Sequence, residues 1–342
     1  MKIFYYTALA ASIVSMSACA NRPAQEPAAP LRLIVETDMG NDIDDALAFD
    51  LIYKAMDSGE AEVLAIGNHK LSPTATDYID ILNTWYGYAD LPLAASPTPV
   101  ANSAAADYTE AVCAMTADDG TPLFARSKRP EQIENPVTLY RRVLASQPDG
   151  SVTVVSLGFA TELAKLLDSP ADDLSPLTGR ELVARKVKVL SIMAGSYGEK
   201  KRAEFNVVND IAAMQRLFAE WDAPIVQNPF ELGKQVMYPG AAIENDFGWA
   251  PAHPVVEGYK NYREMPYDRP TWDLLSVIYV LHPEFFTESE PGRIHVDEQG
   301  YTHFAPDPAG RHIVLSLSDE QAARLREYVI GETTRAPRYR AR

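Results

Sequence analysis

Within the stretch VETDMGNDIDDALAF, Val35 to Phe49, stand Asp38, Asp42, Asp44 and Asp45. Aspartates at this density either charge the start of a helix or converge on a cation. In the first role each gains roughly 0.3–1 kcal/mol from the helix dipole and unpaired amides. That accounts for Asp42 or Asp44 and one neighbour. It leaves Asp38, at the mouth of the preceding β-branched run, unexplained. Two carboxylates about 4 Å apart repel by ~4 kcal/mol at an effective dielectric near 20, so a convergent set requires solvent or a counter-ion. Oxygen donors of this kind suit the hard cations Ca2+ and Mg2+.

Other loop chemistries fit poorly. A phosphate-cradling loop needs several glycines and a GK[ST] ending, and acid repels the anion. An EF-hand needs the D-x-[DN]-x-[DN]-G order, which is missing. A phosphatase with an aspartyl nucleophile ending its strand two residues before the acid is weakened by Glu36 in that place.

The acids must be held by the elements around them. LRLIVET (31–37) is a run of strand length, DDALAFDLIYKAMDSG (44–59) repeats apolar residues at helical spacing and stops at Gly59, and AEVLAIG (61–67) reads as a buried strand. This is the unit of a parallel sheet with helices on its faces. Similar units follow, with helices over 74–87, 137–147, 161–169 and 207–221 and strands over 91–96, 151–158, 186–195 and 224–228. The expected architecture is α/β: an open, mainly parallel sheet with helices on both faces and a small antiparallel ribbon over 292–318. Ser318 to Gln321 fits a capping box opening the last helix. In open parallel sheets ligands bind beyond the carboxyl ends of the strands, which directs attention to 38–45, 67–74, 157–161, 193–206 and 227–235.

Placed between that strand and helix, ETDMGNDIDDALA resembles the N-terminal signature DTDxGxDDAxA of the nucleoside hydrolases, the inosine-uridine-preferring family, with Glu36 for the first Asp and two extra residues after Gly40. SLGFATELAKLL (156–167) resembles the family's GPLTNLALAL. IMAGSYGEKKRAEFNVVNDIAA (192–213) resembles its glycine turn, EFN and NDPEAA, and RPTWDLLSVIYVLHP (269–283) resembles its late acid-bearing helix. The resemblance spans most of 31–285 and implies a nucleoside hydrolase-like fold. It also implies Ca2+-dependent hydrolysis of an N-glycosidic bond in ribonucleosides or related N-ribosides, through an oxocarbenium-like transition state. Asp38, Asp45, Asp273 and the Leu157 carbonyl would hold the ion, and Asp38 would be the general base. Asp44 and Asn206 would orient ribose hydroxyls, and Glu204 would add a hydrogen bond and negative potential. Asp42, inside the insertion, joins the shell or caps the helix.

This chain also departs from the family. Trp272 stands where a histidine commonly precedes the late acid; indole can stack on a base but has no titrating proton near neutral pH. Lys70, in an altered loop at 68–72, is a candidate to reach the site. Met193 reads as core first and pocket floor second. Tyr197, Tyr262 and His253 are weak candidates for a leaving-group acid. These departures motivate a second reading: a calcium-stabilised ribose- or nucleoside-binding lipoprotein with little or no hydrolase activity.

Over the whole chain, residues 1–19 read as an export signal, and Met16-Ser17-Ala18-Cys19 resembles a lipobox in which Cys19 is acylated. Residues 20–30 form a Pro/Ala tether, 31–334 a single domain and 335–342 a basic tail. The expected location is the bacterial cell envelope, facing the periplasm, with membrane contact only through the lipid. A formal charge of -16 disfavours a nucleic-acid polymer as partner. The expected partner is a small-molecule riboside, with a homo-oligomer possible. With Cys19 lipidated, Cys113 is the remaining thiol, so stability must come from the core.

Overall fold

The computed structural model describes residues 29–70, 72–97, 107–200 and 202–338. Cys19, the export segment and most of the tether and tail lie outside the described residues. In chain order the strands are β1 (Leu31–Thr37), β2 (Ala61–Asn68), β3 (Leu93–Ala95), β4 (Val152–Ser156), β5 (Val187–Met193) and β6 (Ile225–Asn228). After them come β7 (Met237–Tyr238), β8 (Arg269–Pro270), β9 (Thr287–Glu288), β10 (Gly292–Val296), β11 (Thr302–Pro306) and β12 (His312–Ser316).

The main sheet runs β11-β10-β12-β6-β5-β4-β1-β2-β3, with β9 paired to β12. Strands β1 to β6 are parallel to their neighbours. From β1 the chain order proceeds outward both ways, to β2 and β3 on one side and to β4, β5 and β6 on the other. Such a reversal opens a crevice beyond the strand's carboxyl end. The acidic loop begins there, one residue past Thr37.

Alternation along β1 sends Leu33 and Val35 into one apolar layer and Ile34 into the other. The first layer includes the helices Asp44–Ser58, Pro73–Tyr86 and Trp272–Leu281, and the second includes Pro136–Ser146, Thr161–Asp168 and Ile211–Glu220. Each fully buried Leu, Ile, Val or Phe contributes about 1.5–3 kcal/mol, which holds the strand ends beneath the loops.

Two expectations are refined. The C-terminal ribbon is present, and it extends the main sheet because β12 pairs in parallel with β6, His312 against Ile225. The helix expected over 207–221 is two, Phe205–Val208 and Ile211–Glu220. Asp210 divides them: its carboxylate accepts the Ala213 amide at 3.1 Å as an N-cap and the Thr161 hydroxyl at 2.7 Å. The capping box of Ser318 and Gln321 forms as expected.

Candidate active site

The first part of the site is the loop between β1 and the helix Asp44–Ser58. Gly40 turns it at φ +98°, in the left-handed region, and a Cβ there would meet Asp107 and the Lys70 stem at 3.0 and 3.2 Å. Thr37 donates its hydroxyl to Asp45 and accepts the Met39 amide at 3.0 Å. Lys70 Nζ donates to the Gly40 carbonyl at 3.0 Å and to Asn41 Oδ1 at 2.7 Å, and Asn41 Nδ2 donates to Asp38 Oδ2 at 2.7 Å. Lys70 therefore acts behind the loop and steadies Asp38 through Asn41. It is not among the residues lining the cavity.

That cavity, about 200 Å3, is lined by Asp38, Asn41, Asp42, Asp44, Asp45, Leu157, Met193, Glu204, Phe205, Asn206, Phe230, Trp272 and Asp273. Oxygens of Asp44, Asp45 and Asp273 lie within 4.8 Å of one another, and all three residues are buried. The backbone joins them across the chain, since the Asp273 amide donates to Asp44 Oδ2 at 2.9 Å. Asp44 Oδ1 and Asp45 Oδ2 have no hydrogen-bond donor. Burial holds the carboxyls of Asp44, Asp45 and Asp273 well above the usual range, and the neighbouring acids push them further. Burial lifts Asp38 to about 6 against the opposing pull of Asn41 and Lys70. A buried all-oxygen trio with orphaned lone pairs is a donor set that fits a hard divalent cation such as Ca2+.

The trio shares Asp45 and Asp273 with the expected ligand set. Asp44, expected on ribose, converges with Asp45 and Asp273. Asp38 lines the same cavity with one oxygen engaged by Asn41. Asp42 is drawn away from the trio by a bidentate ion pair with Arg269, 227 residues distant in sequence, and also accepts the Ile43 amide at 2.7 Å.

A second wall comes from the ends of β4 and β5. Asn206 Nδ2 donates to the Leu157 carbonyl at 2.9 Å and to the Met193 carbonyl at 3.1 Å, bringing three predicted residues together. Gly158 lets this wall approach: a Cβ there would stand 2.9 Å from Asp38 Cβ. Glu204 caps the helix Phe205–Val208 by accepting the Asn206 and Val207 amides, accepts the Gly195 amide at 3.1 Å, and still lines the cavity. Burial raises its carboxyl to about 7.

The third wall is aromatic. Trp272 stacks on Phe230 with centroids 5.3 Å apart and planes 23° from parallel. Its indole N–H is committed to the Phe230 carbonyl at 2.8 Å. Gly233 admits the ring, since a Cβ there would lie 2.2 Å from Trp272 Cδ1.

The three weak acid candidates are corrected, because none lines the cavity. His253 is buried among aromatic rings and its Nδ1 caps the helix Pro254–Tyr262. Tyr262 accepts from Arg269, and Tyr197 donates to Gln227. Sequence reasoning also missed Thr37, Asn41, Phe205, Phe230 and Arg269. Position beyond a strand end was the available signal for Phe230; nothing local marked Arg269.

The sequence model described as inosine-uridine preferring nucleoside hydrolase matches residues 33–324. Comparison with the sequences of curated proteins gives no match. Among solved structures, a plant nucleoside hydrolase superposes with a TM-score of 0.66 at 21% identity, covering 90% of this chain and 100% of the other. An inosine-uridine preferring nucleoside hydrolase from Bacillus anthracis gives 0.67 at 16% identity over 90% of this chain and 100% of its own. A purine-preferring ribonucleoside hydrolase from Gardnerella vaginalis gives 0.67 at 15% identity over 89% of this chain and 100% of its own. At these identities the superpositions speak for the fold, and the family match spans nearly all of the folded domain. The chain belongs to the inosine-uridine preferring nucleoside hydrolase family, and it is a hydrolase of N-glycosyl bonds.

Proposed function

We propose that this protein hydrolyses ribonucleosides to ribose and free base in a Ca2+-dependent reaction. The observation that carries the reading is the convergence of Asp44, Asp45 and Asp273, with two orphaned oxygens, in a cavity shared with Asp38. Asp44, Asp45 and Asp273 would hold the ion, with Asp38 and the Leu157 carbonyl beside it. Bound there, it supplies Lewis acidity to the ribose diol and to a water molecule.

The chain's own residues do the rest. Asn41 engages Asp38 Oδ2 and leaves Oδ1 to take the proton of the attacking water. Burial raises the Asp38 carboxyl above the usual carboxylate range, which makes it the stronger base. Asn206, fixed by two carbonyls, presents its remaining amide oxygen to a ribose hydroxyl. Glu204, in its ionised form, would place negative potential near the developing cation. Phe230 and Trp272 receive the planar base and exclude water.

The test is release of free ribose from a panel of nucleosides, with and without EDTA, beside Asp38→Asn. No release from any nucleoside, or equal release after chelation, refutes the proposal. We further propose that the enzyme is anchored in the envelope through lipid on Cys19. Incorporation of labelled palmitate that is lost in Cys19→Ala tests this part separately.

A further inference from the structure

Six acids, Asp38, Asp42, Asp44, Asp45, Glu204 and Asp273, line the cavity, whereas two cations that lie outside its lining pack against Phe230, in a chain whose formal charge is -16. The Arg202 guanidinium sits 4.4 Å from the centroid of the Phe230 ring, and Lys234 Nζ lies 5.6 Å from the same centroid. Both residues are exposed. Neither makes a hydrogen bond or ion pair among the described residues, in contrast to Arg269, which is spent on Asp42. Glu231, next to Phe230 in the chain, is engaged by the Ser196 hydroxyl and by the Tyr197 and Gly198 amides. Two uncommitted cations thus share the one ring that, with Trp272, forms the stacking wall.

A cation over a ring face is held there with its N–H donors free at the edge, where they reach a substituent on anything stacked alongside. We propose that Arg202, assisted by Lys234, selects N-ribosides whose aglycone carries an anionic group, a carboxylate on the heterocycle. This deepens the proposed function and rests on it. The diol end would meet the acidic wall and its ion, and the charged edge of the base would meet Arg202.

Nicotinic acid riboside and nicotinamide riboside are the suitable probes, since they differ only in carboxylate against carboxamide. Both carry a pyridinium leaving group that departs without protonation. Wild type should favour the acid by about tenfold in kcat/KM, as expected for a partly exposed charge-assisted bond. In Arg202→Gln that ratio should fall to near one, and in Lys234→Gln it should fall less. Uridine 5'-monophosphate against uridine tests the other end of the substrate. Preference for the phosphate without preference for the carboxylate overturns the inference, as does an acid-to-amide ratio unchanged in Arg202→Gln.

Calorimetric binding of the two pyridinium ribosides to Ca2+-loaded Asp38→Asn keeps the two proposals apart. Turnover with no charge preference removes the inference and leaves the proposed function intact. Tighter binding of the acid that depends on Arg202, without turnover in wild type, does the reverse.

Discussion

At the residue scale, Asp38 and the trio occupy different situations, and separate substitutions should read them apart. Asp45 and Asp273 each offer an oxygen to the convergent set, so Asp45→Asn or Asp273→Asn should abolish the stabilisation that Ca2+ gives. A ligand at a hundred times its Kd contributes about 2.7 kcal/mol to the native state, readily seen as a rise in Tm. Asp38→Asn should keep most of that rise, because its carboxylate is outside the closest trio, and should lose about 10²–10⁴-fold in kcat as a missing general base. Differential scanning fluorimetry with added Ca2+, paired with ribose release, distinguishes the two. Equal loss of the Ca2+ response in all variants would make Asp38 an obligatory ligand.

At the element scale, the helix bearing Asp44 and Asp45 must be held in place from its far end. Lys54, fully buried, donates to Asp50 at 2.8 Å and to the Thr333 carbonyl, pinning Asp44–Ser58 to the C-terminal helix Asp319–Thr334. Lys54→Ala leaves Asp50 a buried charge without its cation and should cost about 3–5 kcal/mol in urea denaturation. The turn after β4 is constrained differently. Gly158→Ala places a Cβ 2.9 Å from both Asp38 Cβ and the Asp38 amide. It should cost about 1–3 kcal/mol by overpacking and lower kcat by displacing Asp38, with far-UV circular dichroism unchanged.

At the scale of the whole molecule, the seam between the parallel sheet and its C-terminal ribbon should respond to pH. His312, on β12, accepts the Ile294 amide at Nδ1 over 2.7 Å, and burial pushes its imidazole from 6.5 down to about 4. The unfolded chain therefore binds a proton that the native chain refuses. His312 contributes fully above pH 6.5, and that contribution is lost as pH falls from 6.5 towards 4. His312→Asn keeps an acceptor and removes the titration. The stability gap between wild type and variant should shift against the wild type across that window. A gap constant from pH 7 to 4 would show that His312 binds its proton equally in the native and unfolded chains.

Much of this was legible locally. The β-branched run of β1, the helical spacing after Asp44, the stop at Gly59 and the excess of acid between them depend on neighbours in sequence, so the strand, the helix and the acidic loop between them follow from local sequence. The capping box at Ser318 was legible for the same reason. Which carboxylates meet was not. The trio joins Asp44 and Asp45 to a residue from the far end of the chain, Asp42 is claimed by Arg269, and Lys70 turns behind the loop to brace Asn41. The stacking of Trp272 on Phe230 brings together two helix starts separated by β7 and β8. Residue type and spacing determined that acid would gather at one strand end; contacts between segments distant in sequence, which carry no local periodicity, decided how each acid is used.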